Sequence, residues 1–370
     1  MNKNNGKLSA RLWIGMLMCS FIGGLAWNVE NMYFNTFLND CVYDAGAFGS
    51  KMVLTDAVNL MVTLSAITAV VTTFIMGTLS EKMKNRKAFI SIGYIAWGIV
   101  TALFGFITKD NIAAVFGLSD NAKIVAATAW VVIIMDMVMT FMGSTSNDSA
   151  FNAWVTDITT PTSRPKVETA FTIVGFVAMG IVMGAGTVTQ SGLVSYKLFF
   201  GILGLLVALA GVIGLFTLKE PAHVVKEEKK TSYWADLFYG FKPSVIKENS
   251  TLYLILAAMC LFNCAFQVFF PYLIVYLQYV VLESPVNKEL LGSSLPTVIV
   301  VGVIAVAVLL AGVISLMKVA AKKKLSAFFP AVAALIVGLI ILSTSNNMYV
   351  MLAGIAPTFI GYLVLTIQFG

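Results

Sequence analysis

The sequence predicts an all-α polytopic membrane protein, on three observations. Of its 370 residues, 59% are hydrophobic and only 11% charged, and a mean hydropathy of +0.89 implies more apolar surface than one soluble core can bury. The apolar residues gather into about ten runs of roughly spanning length. The basic residues fall mainly in alternate breaks between those runs. The same arithmetic excludes a collagen-like, disordered or disulfide-stapled chain, because aliphatic residues dominate and only four cysteines are present. Cys19, Cys260 and Cys264 lie in apolar runs and Cys41 stands alone in a loop, so no metal or disulfide framework is visible and no cofactor is expected.

The first run, 12–38, follows a short basic stretch as a signal peptide would. It is long, carries Asn28, Glu30, Asn31 and Asn35, and has no small-residue cleavage site, so it reads as a mature helix. Runs at 54–77, 88–108, 124–155, 167–190 and 197–217 follow. The fourth is too long, and too polar in its second half, for an ordinary span. The longest polar break, 218–250, holds KEEKK (226–230) and then the amphipathic SYWADLFYGFKPSVIKEN. It divides the chain into a six-helix bundle (1–217), an inter-half loop (218–250) and a second bundle (251–370) with runs at 252–281, 295–317, 325–343 and 347–370. With the N-terminus and the 218–250 loop cytoplasmic, only Lys51, Lys109, Lys123, Lys197 and Lys288 fall outside, which sets the orientation. The net charge of +6 is then topology rather than a sign of nucleic acid.

Polar residues inside the runs carry the functional signal. A carboxylate in hydrocarbon costs several kcal/mol unless paired, protonated or wet. No Lys or Arg lies in a span core to pair with one, which favours cation or proton binding. Asp56, just after Thr55, fits a helix N-cap. Asp136 is central or external according to where its helix begins. Asp148, among Ser144, Asn147 and Asn152, suits a hydrated cavity and is the favoured coupling group. Gly24, Asn28, Asn31 and Asn35 share one helical face within about 60°. That stripe either lines a cavity or joins helices by hydrogen bonds. Glu30 points roughly opposite, for proton coupling or a structural hydrogen bond. In the seventh span Asn263, Gln267, Phe270 and Gln278 share a face, broken by Pro271. Trp27 and Trp154 suit either a sugar ring or an interfacial belt. His223 sits in the loop. Motifs for zinc hydrolysis, nucleotide loops and serine nucleophiles are lacking, so the chain is not expected to be an enzyme.

Sliding the second part back by 235 or 236 residues lays 267–277 over 31–41 and Gly312 over Gly77, as a parallel repeat would. Between the second and third spans, GTLSEKMKNRK (Gly77 to Lys87) resembles the loop signature of the major facilitator superfamily, with Lys84 and Asn85 as departures. The resemblance implies two six-helix halves, so four runs in the second part predict that helices eleven and twelve lie outside this sequence. It also implies that Gly77 permits close helix approach and that Glu81 pairs across to a neighbouring helix in a gate, with Lys82, Arg86, Lys87 and Arg164 as its cations. A narrower segment, SNDSAFNAWVTDITTPTSRPKVE, with GFKPSVIKEN, is similar to the glycoside, pentoside and hexuronide cation symporters, the melibiose permease-like family. That likeness places the cation-site aspartate at Asp148, followed by Thr159, Arg164 and Glu168. The family's two second-helix aspartates are replaced by Ala69 and Thr73, which favours a proton over sodium. Its first-helix sugar-contacting aspartate falls near Gly24, and the fifth span has no arginine.

The expected function is therefore a monomeric secondary transporter in the cell membrane, surrounded by lipid, moving a sugar-like small molecule with H+ or Na+ and binding no nucleic acid. Asp148, Glu30 and Asp136 are the coupling candidates. Asn28, Asn31, Asn35, Asn147, Asn152, Trp154, Asn263 and Gln267 are the substrate candidates. The alternatives are an exporter of amphipathic compounds and a non-transporting receptor or scaffold.

Overall fold

The computed structural model describes residues 8–43, 53–160, 162–190, 192–220, 238–269, 324–344 and 347–369. Helix is the regular structure throughout these residues: α1 (Ala10–Phe37), α2 (Leu54–Lys82), α3 (Arg86–Phe104), α4 (Lys109–Phe116), α5 (Asn121–Gly143), α6 (Asn152–Ile158), α7 (Arg164–Gln190), α8 (Tyr196–Thr217), α9 (Pro243–Glu248), α10 (Ser250–Phe269), α11 (Lys324–Thr344) and α12 (Met348–Phe369). Two π-helical segments, Leu38–Tyr43 and Ser144–Phe151, extend α1 and join α5 to α6. Among the described residues six helices are long and apolar enough to cross a membrane.

Local sequence sets where these helices start. Ser9, Asn85, Thr108, Asp120 and Ser195 each accept a backbone N–H from the first turn of α1, α3, α4, α5 and α8, satisfying a donor that the helix itself leaves open. Helix α2 starts differently from the expected Asp56 cap. Val53 is its N-cap without a side-chain bond, and Asp56 is exposed in the first turn, where the helix dipole favours a negative charge. The short helix α4 was not anticipated. Thr108 opens it and Gly117, at φ 62°, closes it in the left-handed conformation that glycine adopts without penalty.

The long fourth run is one continuous helix, Asn121–Ile158, of 38 residues. At the α-helical rise that is on the order of 55 Å, well beyond a ~30 Å hydrocarbon core. Its polar second half is the π-helical segment, which explains why it fits no ordinary span.

The described contacts divide the chain into Met1–Tyr253 and Leu254–Gly370. In the first unit α3 packs along α8, α1 against α7, and α2 against α5. A Cβ on Gly98 would overlap backbone atoms of Gly204 and Ala208, and one on Gly204 would overlap Gly98 and Ala102. Small residues therefore let the two backbones approach closely, as packing between helices in lipid requires. Phe34, Phe104 and Phe200 tie α1 to this pair, with ring centroids 4.3 Å apart for Phe34–Phe104 and 5.7 Å for Phe34–Phe200. Residues 238–249 belong to the first unit, Phe238 and Phe241 each meeting Phe74 at 5.8 Å.

In the second unit Ala331, Val364 and Leu365 form a small core with Phe262 and Phe328, and Phe262 stacks on Tyr362 at 5.7 Å. Pro330 and Pro357 lie inside α11 and α12. Phe270, Pro271, Gln278, Gly312, His223, the KEEKK cluster and the run at 295–317 lie outside the described residues.

Gly204→Val should destabilise the protein by about 1–3 kcal/mol through overpacking. Gly201→Val, at a glycine with open space around it, should leave the melting temperature in detergent within experimental error. Thermal unfolding of the two variants checks the contrast.

Candidate functional site

Three polar groupings lie within the first bundle. The first is built around the π-helical segment 144–151. Ser144 donates to Asp148 Oδ2 at 3.0 Å, and the Asn152 side-chain amide donates to the Asp148 carbonyl at 3.0 Å. Asn147 donates to the Tyr94 hydroxyl at 2.7 Å, and Tyr94 donates to the Cys19 carbonyl at 2.7 Å. This chain of bonds holds α3, the π segment and α1 in one arrangement. Gly23 is required there, since a Cβ would overlap both the Asn147 amide and the Tyr94 hydroxyl. Trp27, Trp97 and Tyr94 form an aromatic wall beside it, with centroids 5.1 Å apart for Trp27–Trp97 and 5.5 Å for Tyr94–Trp97. The Trp27 indole N–H is buried and faces Asp148 outside hydrogen-bonding geometry. A π turn, a carboxylate, amides and aromatic faces together form the kind of local irregularity that accompanies function in helices.

The stripe on α1 passes this grouping. The Asn28 amide donates to Gly24 O and the Asn31 amide to Trp27 O, both at 2.7 Å, so both nitrogens close on their own helix. Asn28 and Asn31 are half-buried and Asn35 is buried.

The second grouping lies on α1, α2 and α5. Thr140 contacts Glu30 Oε1 at 2.9 Å, Ser65 contacts Asp136 Oδ2, and the two hydroxyls meet at 3.1 Å. Glu30, opposite the asparagine stripe on α1, is thus tied to α5, and Asp136 lies inside the bundle rather than at its outer end.

The third grouping is at the end that carries the basic loop. Arg86 is buried, with Nε 2.6 Å from Asp157 Oδ2 and Nη1 donating to Ser80 Oγ at 3.0 Å. Glu81 and Lys82 are exposed. Glu81 makes no ion pair among the described residues, so the cross-helix ion pair here is Arg86–Asp157. A Cβ on Gly77 would meet Ser149 Oγ at an ordinary 3.7 Å, so close approach does not require that glycine. The Lys87 backbone N–H binds the Glu220 carboxylate at 2.6 Å, and Arg11 Nε binds the Thr217 carbonyl at 3.0 Å. Arg164, exposed, donates to Thr156 Oγ1 at 2.9 Å and lies 3.9 Å from Glu168.

Trp154 belongs to this end. It is fully buried, its indole donates to the Lys219 carbonyl at 2.8 Å, and its ring stacks on Phe151 at 6.2 Å. The structure does not bring it to the asparagine stripe, since Asn28 lies 17 residues beyond Arg11 on α1, roughly 25 Å by helical rise. Asn152 is exposed. Asn263, exposed in the second unit, donates to Met259 O at 2.8 Å, and the Gln267 side chain lies outside the described residues. No cluster of ligands for a metal ion occurs among the described residues.

Sequence reasoning missed Ser65, Thr140, Tyr94 and Asp157. Hydroxyls in apolar runs recur too often to stand out. Asp157 did offer a signal, as the acid nearest the end of the fourth run, opposite the basic loop.

A sequence profile of the Major Facilitator Superfamily matches residues 12–369, and the chain belongs to that family. It is accordingly a multi-pass membrane protein and a major facilitator transporter. Comparison with curated proteins finds no match.

Asp157→Asn should destabilise the bundle by about 1–3 kcal/mol, because it takes the counter-charge from a buried guanidinium whose partner is itself partly exposed. Glu81→Gln, at an exposed side chain, should shift stability by less than about 0.5 kcal/mol. Parallel thermal melts in detergent measure both.

Proposed function

We propose that this transporter carries a small sugar-like solute by cation-coupled symport and alternating access, with its N-terminus and the 218–250 loop on the cytoplasmic side of the cell membrane. The observation that carries this reading is Asp148, set in a π-helical turn among hydroxyl, amide and aromatic groups. No Lys, Arg or His occurs between residues 12–37, 57–80, 88–104, 124–143, 169–190 or 198–217 to balance its charge.

An ionised carboxylate in a closed bundle is expensive, and a bound cation removes that expense. Asp148 can therefore hold the empty carrier in place when charged and release it to reorient when neutralised. The side chains around it match a polyhydroxylated ring. Asn28, Asn31 and Asn147 supply amides for hydroxyls, and Trp27 supplies an aromatic face for the apolar side of a sugar. The similarity of 146–168 to the glycoside and hexuronide symporters supports the same solute class. Ala69 and Thr73, in place of acids on α2, favour a proton as the ion. The basic residues at one end of the helices support the orientation.

In proteoliposomes with an imposed pH or sodium gradient, Asp148→Asn should abolish accumulation while solute exchange at equal concentrations persists. Full gradient-driven accumulation by that variant would overturn the coupling role. The solute itself is found by thermal stabilisation across saccharides, glycosides, uronic acids and amphipathic compounds. A true ligand stabilises by about 2.7 kcal/mol at a hundredfold excess over its dissociation constant. Stabilisation confined to amphipathic compounds would replace the sugar reading with the exporter.

A further inference from the structure

The quartet Glu30, Thr140, Ser65 and Asp136 contains more contacts than hydrogens. Each hydroxyl carries one hydrogen and each ionised carboxylate none. Three contacts must be made: Glu30 to Thr140 at 2.9 Å, Thr140 to Ser65 at 3.1 Å, and Ser65 to Asp136. With both acids ionised only two hydrogens are available, and one contact sets lone pairs against each other. One further proton completes the chain. The burial points the same way. Asp136 is 2% and Thr140 1% exposed, while Glu30 Oε2 and Asp136 Oδ1 are buried with no hydrogen-bond partner. Two anionic oxygens left bare are costly in hydrocarbon, whereas the carbonyl oxygen of a neutral acid tolerates such a place far better.

We propose that Glu30 and Asp136 share a single proton along a wire of two hydroxyls, and that this pair is a second, proton-specific site in the transporter. In one form the Glu30 carboxyl donates to Thr140, Thr140 donates to Ser65, and Ser65 donates to the Asp136 carboxylate. In the other every hydrogen has moved one place: three O–H bonds break and three form, and the net change is one proton carried from Glu30 on α1 to Asp136 on α5. The proton thus crosses between two helices without entering water.

Among the described residues no cation pairs with either acid. The charged residues of the packed helices, Arg11, Asp56, Glu81, Lys82, Arg86, Lys87, Lys109, Asp110, Lys123, Asp157, Arg164, Lys166, Glu168 and Lys197, lie near the helix ends. Of the rest, Asp40 accepts from Tyr196 and Asn39, Tyr94 and Tyr33 donate to backbone carbonyls, and Cys19 and Tyr43 are buried. Asp148 is the third carboxylate acting on Glu30.

The proposal deepens the cation-coupled reading, but its test needs no solute. Infrared difference spectra of the 370-residue chain in liposomes report the C=O band of protonated carboxyls. Asp148→Asn as the common background removes the third span acid. At neutral pH one band, equivalent to one proton, is expected, unchanged by sodium chloride. Glu30→Gln and Asp136→Asn should each abolish it completely, because the new amide supplies the missing hydrogen and leaves the other acid ionised. Thr140→Val cuts the wire and leaves the proton on Glu30, so in that protein Asp136→Asn should no longer remove the band. Loss of only half the band in each single variant, no band at neutral pH, or its displacement by sodium overturns the proposal. Should a variant fail to fold, titration of the background protein decides, with disappearance in one single-proton step expected from neutral pH upward and two steps contrary to it. Failure of the Asp148 role shows in accumulation and failure of the shared proton in this band, so the two are told apart.

Discussion

A polar group inside a bilayer has no water to turn to, and its partners must be built into the chain. The features of the first bundle that depart from plain apolar helix follow from that constraint. Tyr94 reaches the Cys19 carbonyl, Asn147 reaches Tyr94, and Asn28 and Asn31 close on carbonyls of their own turns. Each bond joins a specific pair of positions. The bonds of Tyr94 and Asn147 therefore specify that α3, the π segment and α1 are neighbours, while apolar packing, which lipid tails imitate well, cannot do so alone.

The same constraint explains the two ends of functional interest. At the basic end, a buried guanidinium is tolerated because Asp157 and Ser80 meet it, and the terminal carbonyls of α8 are met by Arg11. Deeper in the bundle, carboxylates on α1, α5 and the π segment are met by hydroxyls rather than by cations. Hydroxyls can reverse the direction of their hydrogen bonds and a guanidinium cannot. The first arrangement favours a fixed contact and the second permits exchange.

Much of the architecture was legible in the residues. The six apolar runs before position 218 coincide with the six long helices to within a few residues, because length and hydropathy alone decide what crosses a membrane. Asp148 and Asn147 stood out because amides and acids are rare in such runs. The partners were not legible. Ser65 and Thr140 look like ordinary hydroxyls until the register between α2 and α5 is known, and Trp154 could not be assigned to the basic end while the α8 terminus was unplaced. Glu81 was the acid of the loop motif, yet the acid that pairs is Asp157, which lies 71 residues from Arg86 along the chain. Tertiary pairing of this kind has no local signature. The π-helical turn is likewise invisible to a periodicity argument that assumes one helical pitch.

That π-helical segment has a mechanical corollary. A π turn is an α turn carrying one additional residue, so removing a single residue between 144 and 151 would let the helix close into the regular pitch. Everything beyond would then keep nearly its present phase, because the wider turn has already absorbed the extra residue, whereas removing a residue from the regular turns of α5 would rotate it by about 100°. Only that second deletion would swing Asp157 away from Arg86 and Trp154 from the α8 terminus. The fourth span is thus two rods joined by a splice that holds one residue more than a regular helix would, while keeping the two rods in phase.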